Sequence, residues 1–235
     1  MADRRFATYA YEGLVIILSI LIAFALDAGW ADRQERRLER SVLEELRDEF
    51  RSAEARIVHS MDELEGVLAA SRELLSHLGP EAPALAPATA LDLTERILEI
   101  NTLEVPSSVL DSVIATGQLR LISNAELRTA LAEWPALVAD VRENHDWHRA
   151  ETDDFLVPYL ARFVPLRNLD LGDGALVDRE SFFDLDPRGL QGDPVFEGRL
   201  SHRMSRQGAT YRESGIFLDA TRAVIDLIDA EVIRR

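Results

Sequence analysis

The chain has no cysteine and no lysine. Without cysteine it can form no disulfide, offers no thiolate nucleophile and cannot build a zinc site on sulfur. All 26 basic residues are therefore arginine, a bias that, with the abundant alanine, marks a GC-rich genome more than a physical need. They are outnumbered by 42 acids, which leaves a net charge of −16. That balance argues against DNA or RNA as a partner, because phosphate recognition needs a basic face. Catalytic signatures are missing too: there is no Gly-x-Ser-x-Gly, no phosphate-binding loop and no dinucleotide fingerprint. Neither an enzyme nor a cofactor is expected. Strand signals are scarce, with Leu119–Ile122 the one plausible short piece. Long apolar runs are equally scarce, and the exception organises the rest of the reading.

That exception is Gly13 to Leu26, uncharged and almost wholly aliphatic, with Glu12 before it and Asp27 after it. As a helix it would span roughly 21 Å, short of the ~30 Å hydrocarbon core of a bilayer. Extended to the flanking aromatics, Tyr9 to Trp30, it reaches roughly 31 Å. Tyr9, Tyr11 and Trp30 would then sit at the two headgroup belts. The main reading is an uncleaved anchor, residues 1–31. A cleaved signal peptide has Arg4 and Arg5 and the small residues Ala23, Ala25 and Ala28 in its favour. Phe24, Leu26 and Asp27 interrupt any clean cleavage site. A helix buried in a soluble core is the third alternative.

Glu12, Ser19, Ala23, Asp27 and Trp30 fall on one side of the helical wheel. Hydrated acids at the two interfaces account for part of this face. Contact with another transmembrane helix is the sharper reading, since Ser19-xxx-Ala23 is a small-xxx-small spacing. An ion or proton path is a third option, but a lone helix supplies only half of one. The basic residues around the run do not settle orientation. Arg4 and Arg5 precede it, and Arg33, Arg36, Arg37 and Arg40 follow it, where they suit a solvated face or lipid phosphates.

Residues 32–235 read as one all-α domain. A long helix over 32–78 places Leu43, Phe50, Ile57, Leu64 and Leu78 on one heptad position, with Ser71 the exception. Leu46, Ala53, Val67 and Leu74 supply the second position, a coiled-coil or bundle stripe. A Pro/Ala-rich loop occupies about 79–88. Short helices follow at about 89–101, capped through Thr89, and at 108–115, closed by Gly117. Ser123-x-x-Glu126 reads as a capping box for a third helix. Its stripe is Leu127, Leu131, Trp134, Val138, Val141, His145, His148, Thr152 and Phe155, with Pro135 and Pro158 expected to kink or divide it. Residues 165–193 form an irregular loop. Asp193-Pro194 opens a long closing helix with Met204, Tyr211, Leu218, Ile225 and Val232 in a heptad row.

Two weak sites stand out. His145 and His148 share the apolar stripe, and two imidazoles on one face can ligate a metal or hydrogen-bond within a bundle. Gly172-Asp173-Gly174, with Asp170 and Asp178, faintly resembles a calcium loop but lacks its spacing and its terminal glutamate, so a plain turn is favoured.

Three stretches together resemble a family of bacterial single-pass membrane proteins of unknown function. They are Glu12-Gly13 through Leu21-Ile22-Ala23 to Asp27-x-x-Trp30, the segment Ser108–Arg128, and the helix opening Asp193-Pro-Val-Phe196. The family shows a Gly-Ile-Leu-Ile-Ala run ending in Asn-Trp. Here Ser19 replaces the inner glycine, and Ala28-Gly29 separate Asp27 from Trp30. The resemblance implies one inner-membrane anchor, a helical periplasmic domain and no reaction. The expected role is an accessory or scaffold subunit of a larger inner-membrane complex, respiratory or photosynthetic among the options. Its partners would be the bilayer and other transmembrane helices or subunits, and a homo-oligomer is compatible. The alternative is a periplasmic ligand-sensing bundle that signals through a partner.

Overall fold

The stripe read over residues 32–78 belongs to a single helix, α1 (Ala2–Ser76), of 75 residues. At 1.5 Å per residue it is roughly 110 Å long. The computed structural model describes the backbone of residues 2–100, 102–169, 181–183 and 185–234, and their side chains apart from those of 2–17, 25, 31 and 187. The side chains of Glu12 and of the Gly13–Ile17 part of the apolar run therefore lie outside the described residues, as does the loop around Gly172-Asp173-Gly174. Among the described residues no helix is long and apolar enough to cross a membrane.

The remaining helices are α2 (Pro87–Leu98), α3 (Ser108–Ala115), α4 (Ala125–Glu151), α5 (Val157–Leu160) and α6 (Pro194–Arg234). No strand occurs among the described residues, and the fold is all-α. Leu119–Ile122, the expected strand, is instead a 3-10 turn over Gln118–Leu121. Gly117, with φ 70°, swings the chain into it out of α3.

α6 packs along α1 more extensively than any other pair of elements. The two run antiparallel: Arg51 Nη2 meets Asp229 Oδ2 at 3.1 Å, and Arg222 Nε meets Glu54 Oε1 at 2.7 Å. The end of α6 thus returns to the part of α1 just beyond Trp30. The α1 heptads hold: Leu43, Leu46, Phe50, Ala53, Ile57 and Leu74 are all buried, and Ser71 is buried with them. On α6 the buried row is Phe196, Leu200, Arg203, Gln207, Thr210, Ser214, Phe217, Thr221, Val224, Ile228 and Glu231. This alternates four and three without a break. It lies one residue behind the expected row. Of the expected row, Leu218 and Ile225 are buried beside it, and Met204, Tyr211 and Val232 are half-buried flanks.

Two apolar cores result. One gathers Phe50, Leu110, Leu131, Trp134, Phe217 and Ile228. Trp134 lies between Phe50 and Phe217, with ring centroids 4.7 and 5.6 Å away, and its indole N–H donates to Thr221 Oγ1 at 3.4 Å. The other core gathers Leu74, Leu93, Ile97, Leu160, Phe196 and Leu200.

Short helices need their first N–H groups satisfied, and here that comes from a distance. Glu49, buried on α1, accepts from the backbone N–H of Val109 (2.7 Å) and of Leu110 (2.9 Å). Ser107, the local cap residue of α3, makes no such bond; its hydroxyl donates to Asp111. Glu39 likewise accepts from Ser123 N and Oγ at 2.7 and 2.8 Å. The expected capping box at Ser123 is therefore not formed. Asn124 caps α4 by accepting from Glu126 and Leu127, and α2 starts at Pro87 without help from Thr89. α4 runs unbroken through Pro135.

Glu49→Ala leaves the first turn of α3 with buried donors, which should cost about 1–3 kcal/mol. Glu49→Gln keeps one acceptor and should cost less. Denaturant melts of the full chain in detergent would show this order, and equal losses from both variants would contradict it.

Candidate functional site

Between the two apolar cores the interior turns polar. On α6 the layer comprises Arg203, Gln207, Thr210 and Ser214, which occupy core positions of the heptad and are all buried. On α4 it comprises His145 and His148, and Thr152 opens the turn that follows. α1 contributes Leu64 and Val67, with Ser60 and Ser71 above and below.

The centre of the layer is Arg203, 1 % exposed. A buried guanidinium is tolerated only if its charge and donors are met. Nη1 pairs with the Glu151 carboxylate and donates to Thr152 Oγ1 at 2.8 Å. Nη2 donates to the carbonyl of Ile97 at 3.2 Å, in the last turn of α2, where a cation is favoured by the helix dipole. One side chain thus joins α2, α4 and α6.

Glu151 and Thr152 are adjacent, so on a regular α-helix they would point about 100° apart. They converge on one guanidinium where the helix widens into a π turn, Thr152–Leu156. Pro158, which has no N–H to give to the carbonyl four residues back, interrupts the regular ladder just beyond. The widening also shifts the stripe by one residue, so Leu156 is buried and Phe155, expected inside, is 54 % exposed. Such turns recur at functional positions.

His148 sits one turn before Thr152, and its Nε2 lies 2.9 Å from Thr210 Oγ1. Burial, then electrostatic repulsion from neighbouring Arg203, His145 and Arg206, pulls its pKa down from 6.5 to about 4. Outside it, Trp147 packs edge-on at 5.1 Å, and Arg206 covers the Trp147 ring at 4.8 Å. Glu99, at the open edge of the layer, has its carboxyl pKa raised chiefly by burial. A cavity of about 10 Å³ lies among these residues, lined by His148, Arg203, Gln207, Thr210, Leu64 and Val67. A second, shallow groove of about 410 Å³ runs along the α4–α6 surface beside Asp140, Glu143 and Glu213, bridged by Asn144 Nδ2 to Glu213 Oε2 at 2.6 Å.

Sequence reasoning placed His145 and His148 on one face, and the structure brings both into the layer. Among the described residues, no three His, Asp or Glu side chains gather as a metal site requires. Thr152, expected on the same stripe, is buried there too, whereas Glu151, Arg203, Gln207 and Thr210 were missed. Their signal was the unbroken four-three spacing of α6 with polar residues at core positions. Ser19, Ala23, Asp27 and Trp30 lie exposed on α1, well separated from this layer.

No family model matches the chain, and comparisons with curated proteins and with solved structures return no match.

Two outcomes follow from the geometry. Arg203→Ala strands the largely buried Glu151 and the Ile97 carbonyl and should cost about 3–5 kcal/mol, whereas Arg203→Met with Glu151→Leu should recover most of the loss. A thermodynamic cycle over the single and double variants measures this, and additive losses would contradict it. For His148 the folded pKa lies below the unfolded value, so the unfolded chain takes up the proton first. Stability should be level above about pH 6.5, fall between 6.5 and about 4, and level off below. The whole change is ~3 kcal/mol by linkage. His148→Gln should flatten that part of the profile, and an unchanged acid limb would remove His148 as its source.

Proposed function

We propose that the chain is a membrane-anchored, non-enzymatic accessory or scaffold subunit of a larger inner-membrane complex, with its helical bundle in the periplasm. One observation carries this reading. Leu18, Leu21, Ile22, Phe24, Leu26 and Trp30 are each more than half exposed around α1. No other described residue covers them, although α1 continues without a break into a well-filled bundle. Exposed apolar surface around most of one helix is what a hydrocarbon environment or neighbouring apolar helices would take up. The face of Ser19, Ala23, Asp27 and Trp30, with Glu12 in register by sequence, suits close approach of another transmembrane helix. The resemblance to the bacterial single-pass family supports the same placement, and an energy-transducing complex is one candidate host. A homo-oligomer would use the same face.

A second reading, a ligand-sensing bundle signalling through a partner, is favoured by the buried Arg203 layer. Its cavity of about 10 Å³ has no room for an organic ligand as it stands, so the scaffold reading ranks first.

The absence of cysteine gives a clean test. Ser201→Cys on exposed α6 should react with a membrane-impermeant maleimide in intact spheroplasts, and Ser19→Cys only after detergent is added. Affinity purification from native membranes followed by native mass spectrometry should then show co-purifying membrane subunits. A Ser19→Cys site labelled before detergent would overturn the anchor. A lone monomer would overturn the scaffold role.

A further inference from the structure

Around the small cavity of the polar layer, Arg203 Nε, Gln207 Oε1 and His148 Nδ1 are buried and have no hydrogen-bond partner in the protein. Their residues are all more than nine-tenths buried and all line the same small cavity. What each atom wants follows from its neighbours. Thr210 has one hydroxyl proton, and it is directed to the carbonyl of Arg206 at 3.3 Å. Both contacts of Thr210 Oγ1 are made at once only when the imidazole donates the one to His148 Nε2. That fixes the proton of the neutral ring on Nε2 and leaves Nδ1 a bare acceptor. Gln207 Oε1 is also an acceptor, and Arg203 Nε–H is a donor.

One donor and two acceptors are the complement of a water molecule, which gives two protons and receives one. The cavity of about 10 Å³ matches the space one water needs. Arg203 and Gln207 are one helical turn apart on α6, and Thr210, which orients His148, lies on the next turn, so the three atoms can reach a single point. Leu64, Val67 and Ile100 close the apolar side of the cavity, and Glu99, His145 and Thr152 complete its lining.

We propose that this cavity is a specific site for one internal water, accepting from Arg203 Nε–H and donating to Gln207 Oε1 and His148 Nδ1. Ammonium is close in size but has only donors, so it cannot receive the Arg203 proton. The water completes the coordination of the buried guanidinium and holds the His148 tautomer, bridging α4 to α6 at the plane between the two apolar cores. The site depends on neither the anchor nor the scaffold reading.

The test uses the full chain in detergent. A crystal structure with ordered solvent should show density within hydrogen-bond distance (~3.2 Å) of all three atoms. Magnetisation transfer from a long-lived water to the Arg203 Nε–H should appear in NMR spectra of the parent protein. Gln207→Met keeps side-chain length and removes one acceptor. With a bound water it breaks the three-way bridge, and Tm should drop by about 2–4 °C. Without one it removes an orphan buried carbonyl, and Tm should rise. A raised Tm, or no water signal at Arg203 in the parent, overturns the proposal.

Discussion

The bundle depends on how one buried guanidinium is held. Arg203 occupies a core position of α6, where an apolar residue would pack without further conditions. Placing a cation there imposes three: a carboxylate within reach, a hydroxyl beside it and a carbonyl on the far side. They come from two distant places in the chain, and each place requires a particular local structure. Glu151 and Thr152 converge only through the π turn. The Ile97 carbonyl is free to accept only because α2 ends there. The end of α2 and the π turn that ends α4 therefore both serve the same charge. Its neighbourhood also keeps His148 neutral, because a second cation in the layer would face only Glu151 and, at the edge, Glu99.

A comparable logic governs the other end of the bundle. α3 has eight residues, too few to be stable alone in water. It survives by packing Leu110 and Val113 into the core and by receiving a carboxylate from α1 at its N-terminus. Glu49 is thus fixed by α1, which is long enough to be stable through its heptads, and it passes that order on to a short element. Glu39 does the same for the turn that enters α4. The long helix acts as a frame that supplies both apolar surface and polar end-groups to the helices laid against it.

Much of this architecture was legible in the sequence. The α1 stripe, the α3 limits and the start of α6 follow from heptad spacing, from Gly117 and from Asp193-Pro194, all local signals. The failures have a common cause, which is that distant partners replaced local ones. Asn124 displaced the Ser123 box because Glu39, remote in sequence, took Ser123. Phe155 faced outward because a π turn, stabilised from α6, moved the register. The α6 row was assigned one residue late because Arg203, Thr210 and Glu231 broke an apolar pattern that the backbone nonetheless kept. The polar layer was invisible for that reason: a search for hydrophobic periodicity passes over core positions filled by polar residues. The spacing survives when the residue type is ignored, and that is the signal to use.

The path of the chain also bears on what the exposed stretch of α1 can do. Among the described side chains of α1 the first that is buried is Glu39, and Trp30 lies nine positions before it, roughly 13 Å along a continuous helix. A flexible linker of that length would let the bundle move independently of whatever surrounds residues 18–30. An unbroken helix, stiffened by the Asp32–Arg36 and Arg40–Glu44 pairs at i,i+4, does not. Any partner that grips the Ser19–Trp30 face would therefore fix the rotation of α1 about its axis, and with it the direction in which the α4–α6 side of the bundle faces. The surfaces beside Trp147, Arg206 and the Asn144–Glu213 groove would be presented to one side of the assembly. In a scaffold that constraint is the useful property, because a rigid rod with one gripped end positions its other contacts without needing to move.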